Sequence, residues 1–386
     1  MDTITPLGAA LEVDDFTMSN DSLCFNPTAN PLFEKFNFDL ERPPRFLFRT
    51  FDHKSSGRSD DRVIASPAAK YGLPHHTKDI FTLDSDTAIS IVDKHLNPWL
   101  RKNSTDTDPY RDDNFMSWTT SLLYAVQYAY YRRSRYRCSL DHIKICVVDV
   151  SMFPPGQFIR SCNLLQAYHG LGRSAGMQNL YSTTLLVYMY TFGEYLSQGR
   201  MVHHRYCETT QRRSSSVISM ACLERNGIYT LYPELADPTG HGVWALRTIQ
   251  LRKLWHDEDN EAISSTEELR AAARLAIAWF EKSSDTLGLA VYFLSFRKRR
   301  FRDVSPDAFL GGGQADWMRH PIDVKEFELA TRAVSALTYG GVAADGDARG
   351  DRRDSVNSHV ATDSVIEDDV LRKLMRCYVC ADGSRV

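Results

Sequence analysis

The sequence predicts an α+β fold, in which a β-sheet with flanking helices is followed by a C-terminal helical segment. Residues 143–150 (IKICVVDV) are mostly apolar and β-branched, which is typical of a buried strand. Residues 45–51 are rich in aromatic side chains and follow Pro43 and Pro44, which favour an extended entry. Apolar residues at helical spacing over 121–131 indicate a helix that packs against this sheet.

Four parts of the chain differ in composition and periodicity. Residues 1–41 have few periodic apolar positions and are predicted to be a flexible N-terminal arm. Residues 42–256 hold the strands and helices of the α+β domain. Residues 262–335 are predicted to be a helical segment that begins at a capping box, Ser-Thr-Glu-Glu at 265–268. Residues 340–386 are rich in acidic and small residues and are predicted to be a largely disordered acidic tail.

Shorter segments complete the expected architecture. Three aromatic residues of the N-terminal arm are expected to dock onto the domain: Phe33, Phe36 and Phe38. Further elements are predicted from periodicity and turn signals: a helix at 88–96, a short strand at 115–118, strands at 185–190 and 243–251, and a helix at 286–296.

Composition excludes several classes of protein. Among 386 residues, 43% are hydrophobic and 11% aromatic, which is enough for a large core and excludes a wholly disordered chain. The 46 Lys and Arg residues nearly balance the 49 Asp and Glu residues, giving a formal net charge of −3. Although basic residues cluster at 132–137 and 297–302, no strongly basic domain stands out, and nucleic acid is not expected as a partner.

Targeting and membrane signals are not evident in the sequence. The N-terminal residues have no basic region followed by an apolar stretch, so no secretory signal is predicted. The longest apolar runs, 185–190 and 287–296, are shorter than the roughly 20 residues that span a bilayer. We therefore expect an intracellular protein, cytoplasmic or nuclear, with no membrane partner and with its eight cysteines reduced. The oligomeric state is left open.

Three chemistry-bearing segments follow one another along the domain. An arginine lies in the first predicted strand, Arg49 in FLFRTF. A cluster of hydroxyl side chains leads into a helix, with Ser117 at its start in FMSWTTSL. A glutamate follows an aromatic segment and precedes a glycine, Glu194 in YTFGEYLSQG.

At these residues the sequence resembles the ADP-ribosyltransferase fold of the Arg-Ser-Glu class, which includes bacterial enterotoxins. The runs SWTTSLLYAVQYA and FGEYLSQG also resemble an uncharacterised fungal domain family. The resemblance covers about 45–256 and implies a split, mixed β-sheet with flanking helices. It implies NAD as a substrate, cleaved between nicotinamide and ribose, and either hydrolysis or transfer to an acceptor protein. The residues that it assigns are catalytic Glu194, Ser117 and Arg49, and NAD-binding Arg49, Ser117, Trp118 and Thr119.

The chemistry of this bond cleavage explains why these residue types are needed. Leaving of nicotinamide develops positive charge on the ribose, which a nearby carboxylate such as Glu194 would stabilise. The phosphates of a dinucleotide favour a fixed bidentate donor, which arginine provides at Arg49 and lysine would not. The hydroxyl of Ser117 is expected to hold the carboxylate in place, with Thr119 as a second support.

Each assignment has a structural alternative. Arg49 could be a strand residue that pairs with the nearby Asp52 or Asp60. The Ser/Thr cluster from Ser117 to Thr120 could serve to cap the following helix. Glu194 could be a solvated loop residue. Ser-His-Asp and Cys-His sets can be drawn from any chain of this length, and none has supporting local context here.

Two departures from the family pattern lead to a second hypothesis. Transferases that modify arginine carry Glu or Gln two residues before the catalytic glutamate, where this chain has Phe192, so arginine is not favoured as the acceptor. Trp118 replaces the middle Thr of the Ser-Thr-Ser motif and would either stack on nicotinamide or fill the pocket. The alternative is a catalytically silent interaction module. Cys377 and Cys380 form one CxxC pair without a second, so no metal is predicted.

Overall fold

The structure is a computed structural model of the chain. It describes the following residues: 22–33, 43–96, 110–169, 192–207, 212–257, 261–280, 286–302, 320–339 and 363–381. Two predictions lie outside these residues, namely the strand at 185–190 and the docking of Phe36 and Phe38. Phe33 of the N-terminal arm is described and is buried, as expected.

The strands within the described residues form three sheets, and every pair of neighbouring strands is antiparallel rather than mixed as predicted. The largest sheet has six strands in the order β11-β5-β1-β4-β7-β6, the second has the order β2-β3-β8, and the third is the pair β10-β9. The strand bounds are β1 Phe46–Phe51, β2 Arg58–Ser59, β3 Val63–Ala65, β4 Phe115–Thr119, β5 Lys144–Asp149, β6 Ile159–Arg160, β7 Glu194–Gln198, β8 Arg200–Val202, β9 Tyr206–Cys207, β10 Arg212–Arg213 and β11 Ser215–Ser219.

Helices flank this sheet on its buried face and at its ends. The helix bounds are α1 Pro67–Lys70, α2 Ser85–Leu96, α3 Leu122–Tyr136, α4 Ser161–His169, α5 Met220–Arg225, α6 Ile228–Leu231, α7 Trp244–Trp255, α8 Thr266–Trp279, α9 Thr286–Leu294, α10 Ile322–Tyr339 and α11 Asp363–Cys377. These bounds confirm the helices predicted at 88–96, 121–131 and 286–296 to within a turn or so. The structure is therefore an α+β fold with a mostly antiparallel sheet and flanking helices.

The two central strands of the large sheet separate from each other. Strand β1 pairs with β5 along its whole length, from Phe46 opposite Asp149 to Phe51 opposite Lys144. With β4, in contrast, β1 has one paired position within the described residues, Phe48 opposite Thr119. Because β1 and β4 diverge beyond that pair, the sheet opens a cleft between them.

A single hydrophobic core joins the sheet to the C-terminal helices. Phe46 and Phe48 of β1 pack in one cluster with Leu122 of α3, Leu275 of α8 and Val291 of α9. Helix α8 begins with the predicted capping box, in which Ser265 and Glu268 each accept a backbone hydrogen bond from the other. The predicted helical segment thus shares its core with the sheet instead of standing apart.

The segment 243–251, predicted to be a strand, lies in helix α7 instead. Its buried residues are Thr248, Leu251 and Trp255, which recur at helical spacing. The apparent alternation in the sequence includes Val243 and Leu246, which are exposed, so it does not correspond to burial. The prediction of a last strand here is wrong.

Part of the predicted disordered tail is ordered. Helix α11 buries Val370, Leu371 and Leu374 in the main core, and Tyr378 beyond it is also buried. These apolar residues recur at helical spacing, whereas the acidic residues that precede them, Glu367 to Asp369, are exposed or half-buried, so average composition concealed an amphipathic helix. The prediction of disorder is therefore wrong for 363–381, and the remainder of the tail lies outside the described residues.

One buried polar cluster ties α3 to two later helices. Ser121 is the N-cap of α3 and donates a 2.6 Å hydrogen bond from its hydroxyl to Asp323 of α10. Arg252 of α7 donates to the Ser121 hydroxyl and to Asp323, both at 2.8 Å. Asp323 is fully buried, so these bonds compensate its desolvation.

Among the helices that the structure describes, none is long and apolar enough to cross a membrane.

Candidate active site

The cleft between β1 and β4 encloses a cavity of about 500 Å³. Its walls come from β1, the end of α2, β4, α3, the start of β7 and Trp244 of α7. All five residues singled out from the sequence line it: Arg49, Ser117, Trp118, Thr119 and Glu194. They come from three adjacent strands of the sheet, β1, β4 and β7, so the fold brings together positions that are far apart in the chain.

Arg49 lies where β1 and β4 separate. Its Nη1 donates a 2.7 Å hydrogen bond to the backbone carbonyl of Ser117, which takes the place of the missing strand pairing. Its Nε is buried and has no hydrogen-bond partner among the described residues. Burial lowers the pKa of the guanidinium from its ordinary value, which still leaves it charged at neutral pH. Arg49 therefore places a positive charge at the wall of the cleft and keeps one buried N–H without a partner among the described residues.

The alternative partners of Arg49 are engaged elsewhere. Asp52 accepts hydrogen bonds from Arg132, and Asp60 accepts one from Arg58 at 2.9 Å. Within the described part of the chain, no carboxylate forms an ion pair with Arg49. The simple strand-pairing explanation for this arginine is therefore not supported by the structure.

Glu194 is the first residue of β7 and lies opposite Thr119 of β4. Its side chain is half-buried and has neither a hydrogen-bond nor an ion-pair partner among the described residues. Gly193 sets its position, because this residue has φ +66° and its carbonyl accepts a 2.9 Å hydrogen bond from the Thr120 amide. A Cβ at Gly193 would lie 1.8 Å from the Thr120 hydroxyl, so only glycine fits this turn.

Thr119 fixes the segment that leads to Glu194. Its hydroxyl donates a 2.5 Å hydrogen bond to the carbonyl of Phe192 and accepts one from the Ser121 amide at 3.0 Å. Helix α3 is capped by Ser121, whose hydroxyl accepts from the Tyr124 amide at 3.1 Å. The N-cap of α3 is therefore Ser121, and Thr119 bonds the amide of that residue, so the capping alternative holds in part for Thr119 but not for Ser117, whose hydroxyl is bonded elsewhere.

Ser117 contacts a histidine that the sequence did not point to. Its hydroxyl donates to Nε2 of His95, with the oxygen and nitrogen 2.9 Å apart. Nδ1 of His95 in turn donates to the carboxylate of Asp113 at 2.8 Å. Asp113 also accepts a 3.0 Å hydrogen bond from the Phe115 amide, which fixes its orientation. The sequence predicted that Ser117 would hold Glu194, whereas in the structure its hydroxyl is bonded to His95.

His95 and Asp113 were not predicted as site residues, and they differ in how well the sequence could have identified them. Asp113 and Ser117 are separated by four residues in and before an extended strand, so alternation places them on one side of the chain. Nothing local connects them with His95, which is in the last turn of α2. Its side chain is 9% exposed in the structure, and only the packing of α2 against β4 brings it to Ser117.

Trp118 points away from the functional side chains. Its indole is 1% exposed, packs edge-on against Phe158 at 5.6 Å between ring centroids and donates a 2.8 Å hydrogen bond to the Ser197 hydroxyl. Since successive residues of a strand face opposite sides, Ser117 and Thr119 remain on the other face. The cleft is therefore not filled by this indole. Stacking of Trp118 on nicotinamide stays a prediction that its burial does not favour.

One side of the cleft is a continuous aromatic surface, which we call the aromatic wall. It consists of Phe192, three tyrosines on one face of α3, and the indole of α7: Phe192, Tyr124, Tyr128, Tyr131 and Trp244. Phe192 stacks on Tyr124 with 4.4 Å between ring centroids, and Tyr131 packs on Trp244 at the same distance. Phe192, two residues before Glu194, thus supplies the first ring of this wall.

A buried ion pair closes the far end of the cleft. Arg132 donates to both carboxylate oxygens of Asp52, at 2.8 and 2.5 Å. Burial by itself would raise the pKa of Asp52, but the hydrogen bonds and charge of Arg132 outweigh it and hold this pKa below its ordinary value. Asp52 also lies near His53 and Cys138, with their ligand atoms within 4.8 Å of one another. The positive charge of Arg132 opposes a cation there, so we assign no metal site.

Comparison with known proteins gives one match. Residues 42–201 match a family described as a domain of unknown function (DUF7587). The match spans less than half of the chain, and it includes Arg49, His95, Ser117 and Glu194. No curated protein and no solved structure matches the chain.

Proposed function

We propose that this protein is an NAD-consuming enzyme of the ADP-ribosyltransferase type, with a sheet of the ADP-ribosyltransferase kind split at the β1–β4 cleft. The proposed reaction cleaves the bond between nicotinamide and ribose and passes the ADP-ribose to water or to an acceptor. The observation that carries the proposal is the convergence of Arg49, Ser117 and Glu194 on one open cavity. Its volume is in the range of ordinary ligand pockets.

Glu194 is the proposed catalytic carboxylate. Positive charge develops on the ribose as nicotinamide departs, and a carboxylate at this point stabilises the transition state more than the ground state. In the described structure no cation neutralises Glu194, so its charge is available to the substrate. The turn at Gly193 and the bond from Thr119 to Phe192 hold its backbone in place before the substrate arrives.

Arg49 is the proposed phosphate ligand. Arg49 is half-buried and has no carboxylate partner among the described residues, and its partial desolvation lowers the pKa of the guanidinium, so an anion bound beside it would be stabilising. The diphosphate of NAD would supply that anion, and the guanidinium could bind it through the Nε that is unpartnered in this structure. Binding of NAD would thus remove an existing electrostatic penalty.

His95 gives the cleft a base next to Ser117. When neutral, its Nε2 can take a proton from a hydroxyl or a water molecule that attacks the ribose. The carboxylate of Asp113 accepts a hydrogen bond from Nδ1 of His95 and so fixes the orientation of the ring. This base would serve hydrolysis as well as transfer to an acceptor hydroxyl.

The aromatic wall bears on the acceptor. An arginine acceptor needs a carboxylate to align its guanidinium, and Phe192 stands where arginine-specific transferases have that acidic or amide side chain. The acids that line the cavity are Glu194 and Asp113, and Asp113 is already bonded to His95. We therefore favour hydrolysis, or an acceptor other than arginine.

Nicotinamide release from NAD by the purified chain tests the proposal. Turnover is expected in the native protein and should fall by at least about 100-fold in Glu194→Gln, which keeps size and polarity but removes the charge. Glu367→Gln on α11 is the matched control and should retain full turnover. Glu367 does not line the cavity, and its carboxylate forms a 3.9 Å surface ion pair with Arg270. Equal turnover in Glu194→Gln would contradict the assignment.

The same preparation tests the alternative of a catalytically silent interaction module. A folded native protein that neither releases nicotinamide nor binds NAD in calorimetry would favour that alternative. Binding of NAD without turnover, in contrast, would support the proposed binding site and indicate that the reaction requires an acceptor that the assay lacks.

A further inference from the structure

The contacts of Ser117 have the connectivity of a hydrolase triad. Its hydroxyl meets Nε2 of His95 at 2.9 Å, and Nδ1 of the same ring meets Asp113 at 2.8 Å. We propose that Ser117 is a nucleophile toward acyl groups, so that this cleft can hydrolyse carboxylic esters without NAD. Such triads occur on unrelated folds, so they are recognised by this geometry and not by the fold.

The histidine is held in the tautomer that the reaction needs. Because a carboxylate can only accept, Nδ1 of His95 carries the proton toward Asp113, and the neutral ring presents the lone pair of Nε2 to the Ser117 hydroxyl. Asp113 is itself fixed by the amide of Phe115, and the rings of His95 and Phe115 pack edge-on at 5.3 Å. His95 and Asp113 are 9% and 6% exposed, so water competes little for these bonds.

Arg49 is placed to stabilise the oxyanion. Its Nη1 is bonded to the carbonyl of Ser117 itself, so the guanidinium lies beside the nucleophile. Its Nε is buried and lacks a partner among the described residues, and Arg49 lines the same cavity as Ser117. A fixed, desolvated N–H donor of this kind is what lowers the barrier to a tetrahedral intermediate.

The reaction then balances with water as the only co-reactant. Ser117 Oγ attacks the ester carbonyl while its proton passes to Nε2 of His95, and the carbonyl oxygen becomes the oxyanion. Collapse breaks the C–O bond to the alcohol, which takes the proton from His95 and leaves an acyl-serine. Water attacks that ester with His95 again as base, which releases the carboxylic acid and restores the serine hydroxyl.

The walls of the cleft indicate the class of ester. The aromatic wall offers flat, half-buried ring faces from Tyr124, Tyr128 and Trp244 beside the proposed nucleophile. Such surfaces favour a ligand with an aromatic ring over an aliphatic one. We therefore infer an ester with an aromatic acyl or alcohol group.

Two other serine–histidine contacts provide an internal comparison. Ser139 meets Nδ1 of His142 at 3.1 Å on an exposed turn, and Ser215 meets Nδ1 of His203 at 2.8 Å in the interior. The second nitrogen of His203 contacts the carbonyl of Asp60, and no carboxylate contact is described for His142. Among the described residues, the complete serine–histidine–carboxylate set is the one at Ser117.

Labelling with a fluorophosphonate probe tests the proposal in the absence of NAD. We expect one adduct, mapped to Ser117 by peptide mass spectrometry, and no adduct in Ser117→Ala. His95→Gln should label at least about 100-fold more slowly, because the general base is lost. Ser139→Ala is the matched control and should label at the native rate.

Adduct mapping on the native protein decides the question even if a cleft variant fails to fold. No adduct, or an adduct at another residue, would overturn the proposal. Hydrolysis of a phenyl ester should exceed that of the corresponding methyl ester by more than their intrinsic reactivity ratio, and equal preference would overturn the assignment to aromatic esters. Nicotinamide release is measured separately, so failure of either activity leaves the other interpretable.

Discussion

The guanidinium of Arg49 donates a 2.7 Å hydrogen bond to the backbone carbonyl of Ser117, joining β1 to β4 where the two strands stop pairing. A side chain thus replaces a strand–strand hydrogen bond and positions a charge beside the serine hydroxyl. The divergence of the strands therefore creates the cleft and also fixes the residue that is suited to bind an anion in it.

Replacement of Arg49 by lysine should weaken NAD binding by about 10- to 100-fold. Lysine keeps the charge but has a single donor group, so a charge-assisted hydrogen bond worth about 1.5–3 kcal/mol is lost. Isothermal titration calorimetry with NAD measures the change. Arg58→Lys is the control, because Arg58 is exposed and pairs with Asp60, and its affinity should match that of the native protein. Native affinity in Arg49→Lys would remove Arg49 from the site.

Gly193→Ala should destabilise the fold more than the same change at Gly72. Both glycines have φ +66°, which costs an alanine about 1–2 kcal/mol. At Gly72 a Cβ meets nothing within 4 Å, whereas at Gly193 it meets the Thr120 hydroxyl at 1.8 Å. The clash should add about 1–3 kcal/mol to the loss of unfolding free energy in urea denaturation. Adding Thr120→Ala should recover part of the loss, and equal losses at the two glycines would refute this account.

The ion pair of Asp52 with Arg132 should make the stability of the fold depend on pH. The folded-state pKa of Asp52 lies below its unfolded value of about 3.9, so the pair stabilises the fold fully above that pH and loses its effect as the pH falls through the folded pKa. Asp52→Asn should cost about 3 kcal/mol at pH 7 and less at pH 3. Urea denaturation at both pH values measures this difference. Asp61→Asn, at a surface pair with Lys144, should change stability by less than about 1 kcal/mol at either pH. A cost in Asp52→Asn that does not vary with pH would contradict the assignment.

Leu374→Ala in α11 should destabilise the whole fold. Leu374 is fully buried in the core that holds the sheet, and removal of such a side chain costs about 2–5 kcal/mol. Val365→Ala is the control, because Val365 is 56% exposed and should change stability by less than about 0.5 kcal/mol. Thermal unfolding followed by circular dichroism measures both. If Leu374→Ala left the melting temperature unchanged, α11 would not be part of the core.

Local patterns in the sequence predicted the central elements well. Strands β1, β4 and β5 and helix α3 each carry their own hydrophobic periodicity, so their positions could be found without knowledge of the rest of the fold. Helix α7 resembles a strand in sequence because the exposed Val243 and Leu246 obscure the helical spacing of its buried residues. Helix α11 was missed because acidic composition dominates a segment whose apolar residues occupy a single face.

The candidate site was predictable to the extent that it depends on short motifs. Arg49, Ser117 and Glu194 could be selected in advance because each lies in a recognisable run, and the structure lines one cavity with all three. The partnership of His95 with Ser117 could not be predicted, since it depends on how α2 packs against β4. For the same reason, the aromatic wall needed the position of Trp244 on α7.

The bonds of Ser121 have a consequence for the order in which the chain matures during translation. This serine lies at the entrance to α3, yet its buried partner Asp323 is 202 residues further along the chain. A ribosome adds about 5–20 residues each second, so about ten seconds or more pass between the synthesis of Ser121 and that of Asp323. A nascent chain that has emerged only as far as β8 holds Arg49, Ser117 and Glu194 but lacks the helices that cover Phe46 and Leu122. We therefore expect the cleft to take its final shape late in synthesis, with chaperones shielding the uncovered sheet until α10 arrives.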